Sequence, residues 1–353
     1  MTLFHWFLPT SGDGDQIGSA TVAAGAADHP RPATLDYLTE VARAAEDGGF
    51  TAALTPVGAG CPDPWIVCSA IAARTSRLRF LVAFRTGFAL PTLIAQQAAA
   101  FQELTGGRLA LNAVTGGQAA EQRAYGDFLD HGARYARTAE VLEIVRASFA
   151  GEPFDYDGAH YRVERGRPAG PVSPPLYFGG ASPAAEAVAA RLADTYLMWG
   201  EPPAAIAERI ARMRELAAGH GRQLRLGIRL HVIARETADE AWAHAARLLA
   251  GMSPERIAAA QARFASMESV GQARMTALHS GGSDRLEVAP NLWAGVGLVR
   301  EGAGTALVGS YEQVAQRLAE YAALGLDEFI LSGWPHLEEA RRVGEHVLPR
   351  VTP

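Results

Sequence analysis

The chain has 353 residues, 48% of them hydrophobic and 20% charged, a balance that excludes a disordered chain and suits one large α/β domain or two ordinary ones. A formal charge of -6 argues against a nucleic-acid protein, which carries a basic face. No apolar run reaches membrane-spanning length, the opening residues lack a basic leader, and Cys61 and Cys68 form no metal-ligand motif. The expectation is a cytoplasmic protein with reduced thiols, no metal site and no membrane or nucleic-acid partner.

Residues 3–9 read as a buried first strand, followed by a polar loop at 10–15. Residues 18–32, rich in Ala, Gly and Pro, read as a mobile loop or insertion. Leu35, Leu38, Val41, Ala42 and Ala45 fall at helical spacing, and Gly48-Gly49 closes that helix. Strands and helices then alternate. Strands are expected at 51–57, 78–84, 109–114, 176–178, 195–199, 224–234 and 328–331. Helices are expected at 63–75, 92–104, 136–149, 184–192, 204–218, 238–249, 311–324 and 338–348, and a hairpin at 154–163 turns on Asp157-Gly158.

Short apolar strands alternating with helices predict a parallel sheet. Eight such units over about 250 core residues fit a (β/α)8 TIM barrel better than a doubly wound open sheet. Residues 252–304 break the repeat. They read as a mobile lid or insertion between strands seven and eight, within a single domain of residues 1–353.

The seventh strand carries the most chemistry. Leu226, Ile228, Leu230 and Val232 alternate with Arg225, Gly227, Arg229 and His231. This pattern fits an edge strand with a wet face, or a barrel strand whose polar face lines a site. In the second case Arg229 supplies a planar fork for an oxyanion and His231 a proton donor or acceptor. A barrel places its site at the C-terminal strand ends, which here carry Cys61, Asn112, Thr115, Trp199 and Trp334. Gly179-Gly180-Ala181-Ser182 enters a helix and reads either as an anion cradle or as a plain cap. His131 and Tyr135 share a helix face if the helix begins there, and are otherwise local packing. No Gly-rich turn sits between strand and helix in the nicotinamide-binding manner.

Longer strings carry a resemblance. Phe7-Leu8-Pro9-Thr10, Asp130-His131 with Arg134-Tyr135, Leu176-Tyr177-Phe178-Gly179-Gly180, Trp199-Gly200-Glu201-Pro202-Pro203, Gly227-Ile228-Arg229-Leu230-His231, Asn291-Leu292-Trp293-Ala294-Gly295 and Pro335-His336-Leu337-Glu338 resemble the FMNH2-dependent alkanesulfonate monooxygenases of the bacterial-luciferase-like family. The likeness runs over nearly the whole chain. It implies the same barrel, FMN supplied as FMNH2 by an NAD(P)H-dependent reductase, O2 as co-substrate, and cleavage of an organosulfonate C–S bond to an aldehyde and sulfite. It also implies a homodimer or homotetramer. The alternatives are a related flavin or deazaflavin oxidoreductase acting on another small anion, and a flavin-binding protein without turnover.

The resemblance assigns the catalytic set to Cys61, Trp199, Arg229, His231 and lid residue Arg300, with Trp334 where the family carries a Tyr. It assigns the flavin phosphate to His131, Tyr135, Gly180 and Ser182, and the ring or ribityl chain to Asn112 and Thr115. By residue type, Arg229 and Arg300 hold an anion and His231 handles a proton. Trp199 packs on the flavin or in the core. The departures are Trp334, His5, Ser11, Gly117 and the long Ala/Gly segment at 18–27.

Overall fold

The computed structural model describes residues 2–17, 30–171, 173–283 and 285–351. Most of the loop expected at 18–32 therefore lies outside the described residues. In chain order the strands are β1 Leu3–Phe7, β2 Ala52–Thr55, β3 Arg79–Arg85, β4 Leu109–Val114, β5 Phe154–Asp157, β6 Arg162–Gly166, β7 Leu176–Gly179, β8 Thr195–Trp199, β9 Arg225–Arg235, β10 Glu287–Ala289, β11 Leu292–Trp293, β12 Ala306–Ser310 and β13 Glu328–Ser332. The helices are α1 Leu35–Asp47, α2 Pro64–Ala72, α3 Pro91–Thr105, α4 Ala119–Ala124, α5 His131–Ser148, α6 Pro183–Leu192, α7 Pro203–Ala218, α8 Ala238–Ala250, α9 Pro254–Ala265, α10 Val270–His279, α11 Tyr311–Ala323 and α12 His336–Arg342.

Eight parallel strands close into a barrel in the order β1-β2-β3-β4-β7-β8-β9-β13, with β13 pairing back to β1. These are the eight strands expected from the sequence. β9 is the longest. Its first half pairs with β8, and its far end extends past the barrel to pair with β12. β12 was not expected. It leads directly out of the insertion and, with β10 and β11, extends the sheet beyond the barrel. The hairpin β5–β6 stands apart as its own two-stranded sheet.

Alternation along each strand sorts the side chains into two cores. Trp6, Val82, Leu111, Phe178, Leu230 and Leu331 face outward onto the helices, against Val41, Ile71, Ala98, Leu142 and Met213. Phe7, Leu54, Leu81, Ala110, Tyr177 and Ile330 fill the barrel interior. A third cluster, including Ile233, Leu248, Trp293, Leu298 and Trp334, ties the insertion to the far end of β9 and to α8.

The barrel bottom is polar. Glu328 at the start of β13 accepts from Arg225 Nε at 2.8 Å and meets His5 Nε2 at 3.0 Å, with Thr195 Oγ1 at 3.4 Å. Tyr177 also donates to it. Burial alone would raise the Glu328 carboxyl, but the hydrogen bond and charge of His5, with Tyr177 and Arg225, hold it below its usual value. His5, a departure in sequence, is thus half of a buried pair. The interior runs from this charged floor through an apolar middle to an open top.

Candidate active site

A pocket of about 320 Å³ opens at the C-terminal ends of the strands, where a barrel keeps its active site. Phe7, Leu54, Leu197 and Ile330 form its floor, and Met267–Gly271, Arg274, Met275 and Arg300–Ala303 of the insertion form its roof. The insertion is seated by specific contacts. Arg134 Nη2 of α5 donates to Glu268 at 2.6 Å and Gln118 Nε2 to Glu301 at 2.6 Å, while within the insertion Gly302 N donates to Gln272 Oε1 at 3.0 Å. Where α10 crosses Trp199, a Cβ on Gly271 would lie 2.8 Å from the Trp199 ring. Only glycine lets the roof come so close.

Arg229 and Arg300 meet over Phe7. Their guanidinium carbons lie 4.7 and 5.5 Å from the Phe7 ring centroid. Both side chains are buried, and neither forms a salt bridge to a carboxylate among the described residues. Arg229 spends its protons on backbone and a hydroxyl, with Nη1 donating to Leu230 O at 3.0 Å and Nη2 to Ser332 Oγ at 2.8 Å. Arg300 Nη1 donates to Glu301 O at 3.1 Å. Burial and the proximity of Arg300 push Arg229 well below its ordinary value, and burial lowers Arg300 to about 10. Two neighbouring buried cations destabilise each other, and an anion placed between them removes that penalty.

His231 lies behind Arg229 rather than on the pocket wall. Its Nε2 is 3.0 Å from Ala303 O, which only accepts, so Nε2 carries the proton. Nδ1 then accepts from Ser332 Oγ at 2.6 Å, and Ser332 in turn accepts from Arg229. Burial, with Arg229 and Arg300, drives the imidazole well below its usual value, so it stays neutral. Trp334 stacks on this ring at 4.5 Å and is buried in the insertion cluster, also off the pocket wall. Cys61 is absent from the pocket lining but close enough for Arg300, Glu121 and Glu301 to act on it. Burial lifts its thiol to about 11, so it is protonated near neutral pH.

The other end of the pocket gathers the second set of expected residues. α5 begins at His131, five residues before the expected start, because Asp130 caps it by accepting from Ala133 N at 2.8 Å. His131 and Tyr135 therefore share a face, with ring centroids 4.9 Å apart. Tyr135 hydrogen-bonds Ser182, and burial raises the phenol. Ser182 caps α6 by accepting from Ala185 N at 3.2 Å. Gly180 has φ +145°, and a Cβ there would lie 2.5 Å from the Ala185 side chain and 3.5 Å from Tyr135 Oη. Asn112 and Thr115 line the wall between the two ends, as does Trp199. Thr115 is held by Thr138 at 3.0 Å.

Sequence reasoning missed several groups here. Arg274 of α10 and the buried pair Arg209–Glu201, 2.5 Å apart, also line the pocket. Arg85 and Glu121 pair at the rim. Beside the pocket, His336 Nδ1 lies 2.8 Å from Asp13 Oδ1, and Tyr37 also donates to that carboxylate. Burial would raise Asp13, but His336, Tyr37 and the Gly14 N–H hold it at about 2. Apart from Arg209–Glu201, these pairings join positions remote in the chain, which no local pattern discloses.

A closed parallel eight-stranded barrel flanked by helices, with a pocket at its strand ends that holds buried arginines, defines a (β/α)8 barrel protein. The luciferase-like monooxygenase model matches residues 2–328, and the chain belongs to that family of flavin-dependent monooxygenases. Its fold is similar to EDTA monooxygenase from Chelativorans sp. BNC1, with a TM-score of 0.80 and 21% identity over 99% of this chain and 93% of that one. It is similar as well to riboflavin lyase, solved with a modified FMN and riboflavin (TM-score 0.78, 24% identity, 99% and 91% covered). Long-chain alkane monooxygenase gives 0.76 at 21% identity, with 99% and 91% covered. Among the described residues no helix is long and apolar enough to cross a membrane.

Proposed function

We propose that this protein is the oxygenase of a two-component system that uses FMNH2 from a separate NAD(P)H-dependent reductase, and O2, to cleave the C–S bond of a small organosulfonate to an aldehyde and sulfite. The observation that carries the reading is the pair Arg229 and Arg300, buried over Phe7 without a carboxylate. A sulfonate offers three acceptor oxygens to two guanidinium forks. The surrounding apolar wall suits its alkyl part.

The residues present fit FMN. Gly180, Ser182, Tyr135 and His131 line the pocket together, with Tyr135 hydrogen-bonded to Ser182 and its ring 4.9 Å from that of His131, a donor set suited to a phosphate. These would hold the phosphate, with Asn112 and Thr115 toward the ring or ribityl chain and Trp199 against the ring. The reduced flavin supplies the electrons that activate O2. The chain's own part is to bind, orient and exclude water. Arg229 is aimed by Ser332, which is fixed by His231, so His231 acts as a positioning residue that stays neutral. Trp334 holds that ring flat from behind. Arg300, on the insertion, reaches substrate only when the insertion covers the pocket, so the insertion serves as the lid. Cys61, protonated, lies off the pocket wall within electrostatic reach of Arg300.

The test is sulfite release. With FMN, an NAD(P)H-dependent FMN reductase and O2, a panel of alkanesulfonates should yield sulfite that depends on both flavin and reductase. Product formation only from carboxylate-bearing substrates would move the assignment to a related monooxygenase of another small anion. Flavin binding without any turnover across both panels would leave a flavin-binding protein.

A further inference from the structure

The roof of the pocket carries a second arginine besides Arg300. Arg274 lies on α10 and lines the same cavity as His131, Tyr135, Gly180 and Ser182. Its Nη1 is 3.9 Å from Glu201 Oε2, and the same carboxylate oxygen is 2.5 Å from Arg209 Nη2. Glu201 belongs to the helix-entry end of the cavity. Tyr196, whose hydroxyl donates to Gly180 O at 2.5 Å, feels the charges of Arg209, Glu201 and Tyr135.

The charge count there is uneven. Two guanidiniums share one carboxylate. Arg209 is buried and holds it closely, whereas Arg274 stands at the outer limit of an ion pair with 43% of its side chain exposed. One positive charge at this end is thus left without its own partner. It sits on a long, adjustable side chain that lines the same cavity as Gly180 and Ser182. An anion bound at the helix entry would complete the match.

We infer that Arg274 is the residue by which the insertion reads the cofactor phosphate, so that selection of the phosphorylated flavin is shared between the barrel and its roof. This rests on the flavin reading above. The barrel side supplies short-range hydrogen bonds from Tyr135 and Ser182, and Arg274 supplies the mobile charge. α10 also places Gln272 on Gly302 N, two residues from Arg300, so the helix that touches the phosphate end also steadies the segment that carries the substrate-side arginine.

The experiment is anaerobic titration of reduced FMN and of reduced riboflavin into wild type, Arg274→Ala and Arg274→Lys, read by flavin absorbance and fluorescence. Wild type should prefer FMN. Arg274→Ala should weaken FMN binding roughly ten- to a hundredfold, the loss expected for one charge-assisted contact, while riboflavin affinity stays put. Arg274→Lys should recover part of the preference. Riboflavin is the internal control: a variant that merely loosens the roof lowers both affinities together, and that result overturns the inference. Arg274→Ala retaining the full FMN preference overturns it as well, while leaving the flavin reading intact. Wild type that binds neither flavin refutes the flavin reading, and the inference falls with it.

Discussion

At the scale of single residues, the site divides into groups that touch the cavity and groups that aim them. Arg300 is of the first kind. Arg300→Ala should reduce sulfonate turnover by about ten- to a hundredfold, the loss of a charged contact worth about 1.5–3 kcal/mol. Flavin affinity should change little, because Arg300 is grouped with Arg229 over Phe7 and not with the helix-entry pair Tyr135 and Ser182. Wild-type kinetics in this variant would remove the substrate role. The alternation in β9 made Arg229 and His231 legible as neighbours on one face, although only Arg229 reaches the pocket wall. What alternation could not disclose is that His231 uses both nitrogens on Ala303 and Ser332. Nor could it disclose Asp13 with His336, 323 positions apart, which meet only because the barrel closes.

At the scale of elements, the eight barrel strands were readable because each is a short apolar run between turn residues. β12 was not, since Ala306–Ser310 follows a Gly-rich stretch and pairs with the overhanging end of β9, a partner no local pattern reveals. α12 begins at His336, two residues before the expected start. The insertion is the element whose role most depends on packing. Gly271 lets α10 lie on Trp199, and a Cβ there would stand 2.8 and 3.2 Å from two ring carbons. Gly271→Val should therefore lift α10 away from the pocket at a cost of about 1–3 kcal/mol in docking, typical of overpacking. The expected result is a lower kcat/KM with the thermal midpoint of the barrel nearly unchanged, because the clash is confined to the roof. A large fall in midpoint with kcat/KM preserved would show that the contact is structural support and not a cover for the site.

At the scale of the whole molecule, the barrel is closed by hydrogen-bonded strands all around and pinned at its base by one carboxylate. Glu328 joins β13 to β1 through His5, to β7 through Tyr177, to β8 through Thr195 and to β9 through Arg225. These are the strands that bring the ends of the chain together, so the pin acts where closure is longest-range. Glu328→Gln keeps the shape and removes the charge. His5 would then be buried against a neutral group, while Arg225, about half exposed, would turn to water. The expected loss is on the order of 2–3 kcal/mol near neutral pH, less than the full cost of breaking a buried pair because Gln still accepts hydrogen bonds. The sign with pH follows from the depressed carboxyl. A group whose folded value lies below its unfolded value stabilises above the unfolded value, near 4.5, and loses that contribution as pH falls through the folded one. Urea midpoints for wild type and variant should therefore differ most near pH 7 and draw together as the pH falls below 4.5 and through the depressed folded value. A gap that stays constant or widens on acidification would mean that Glu328 pins the barrel by shape alone.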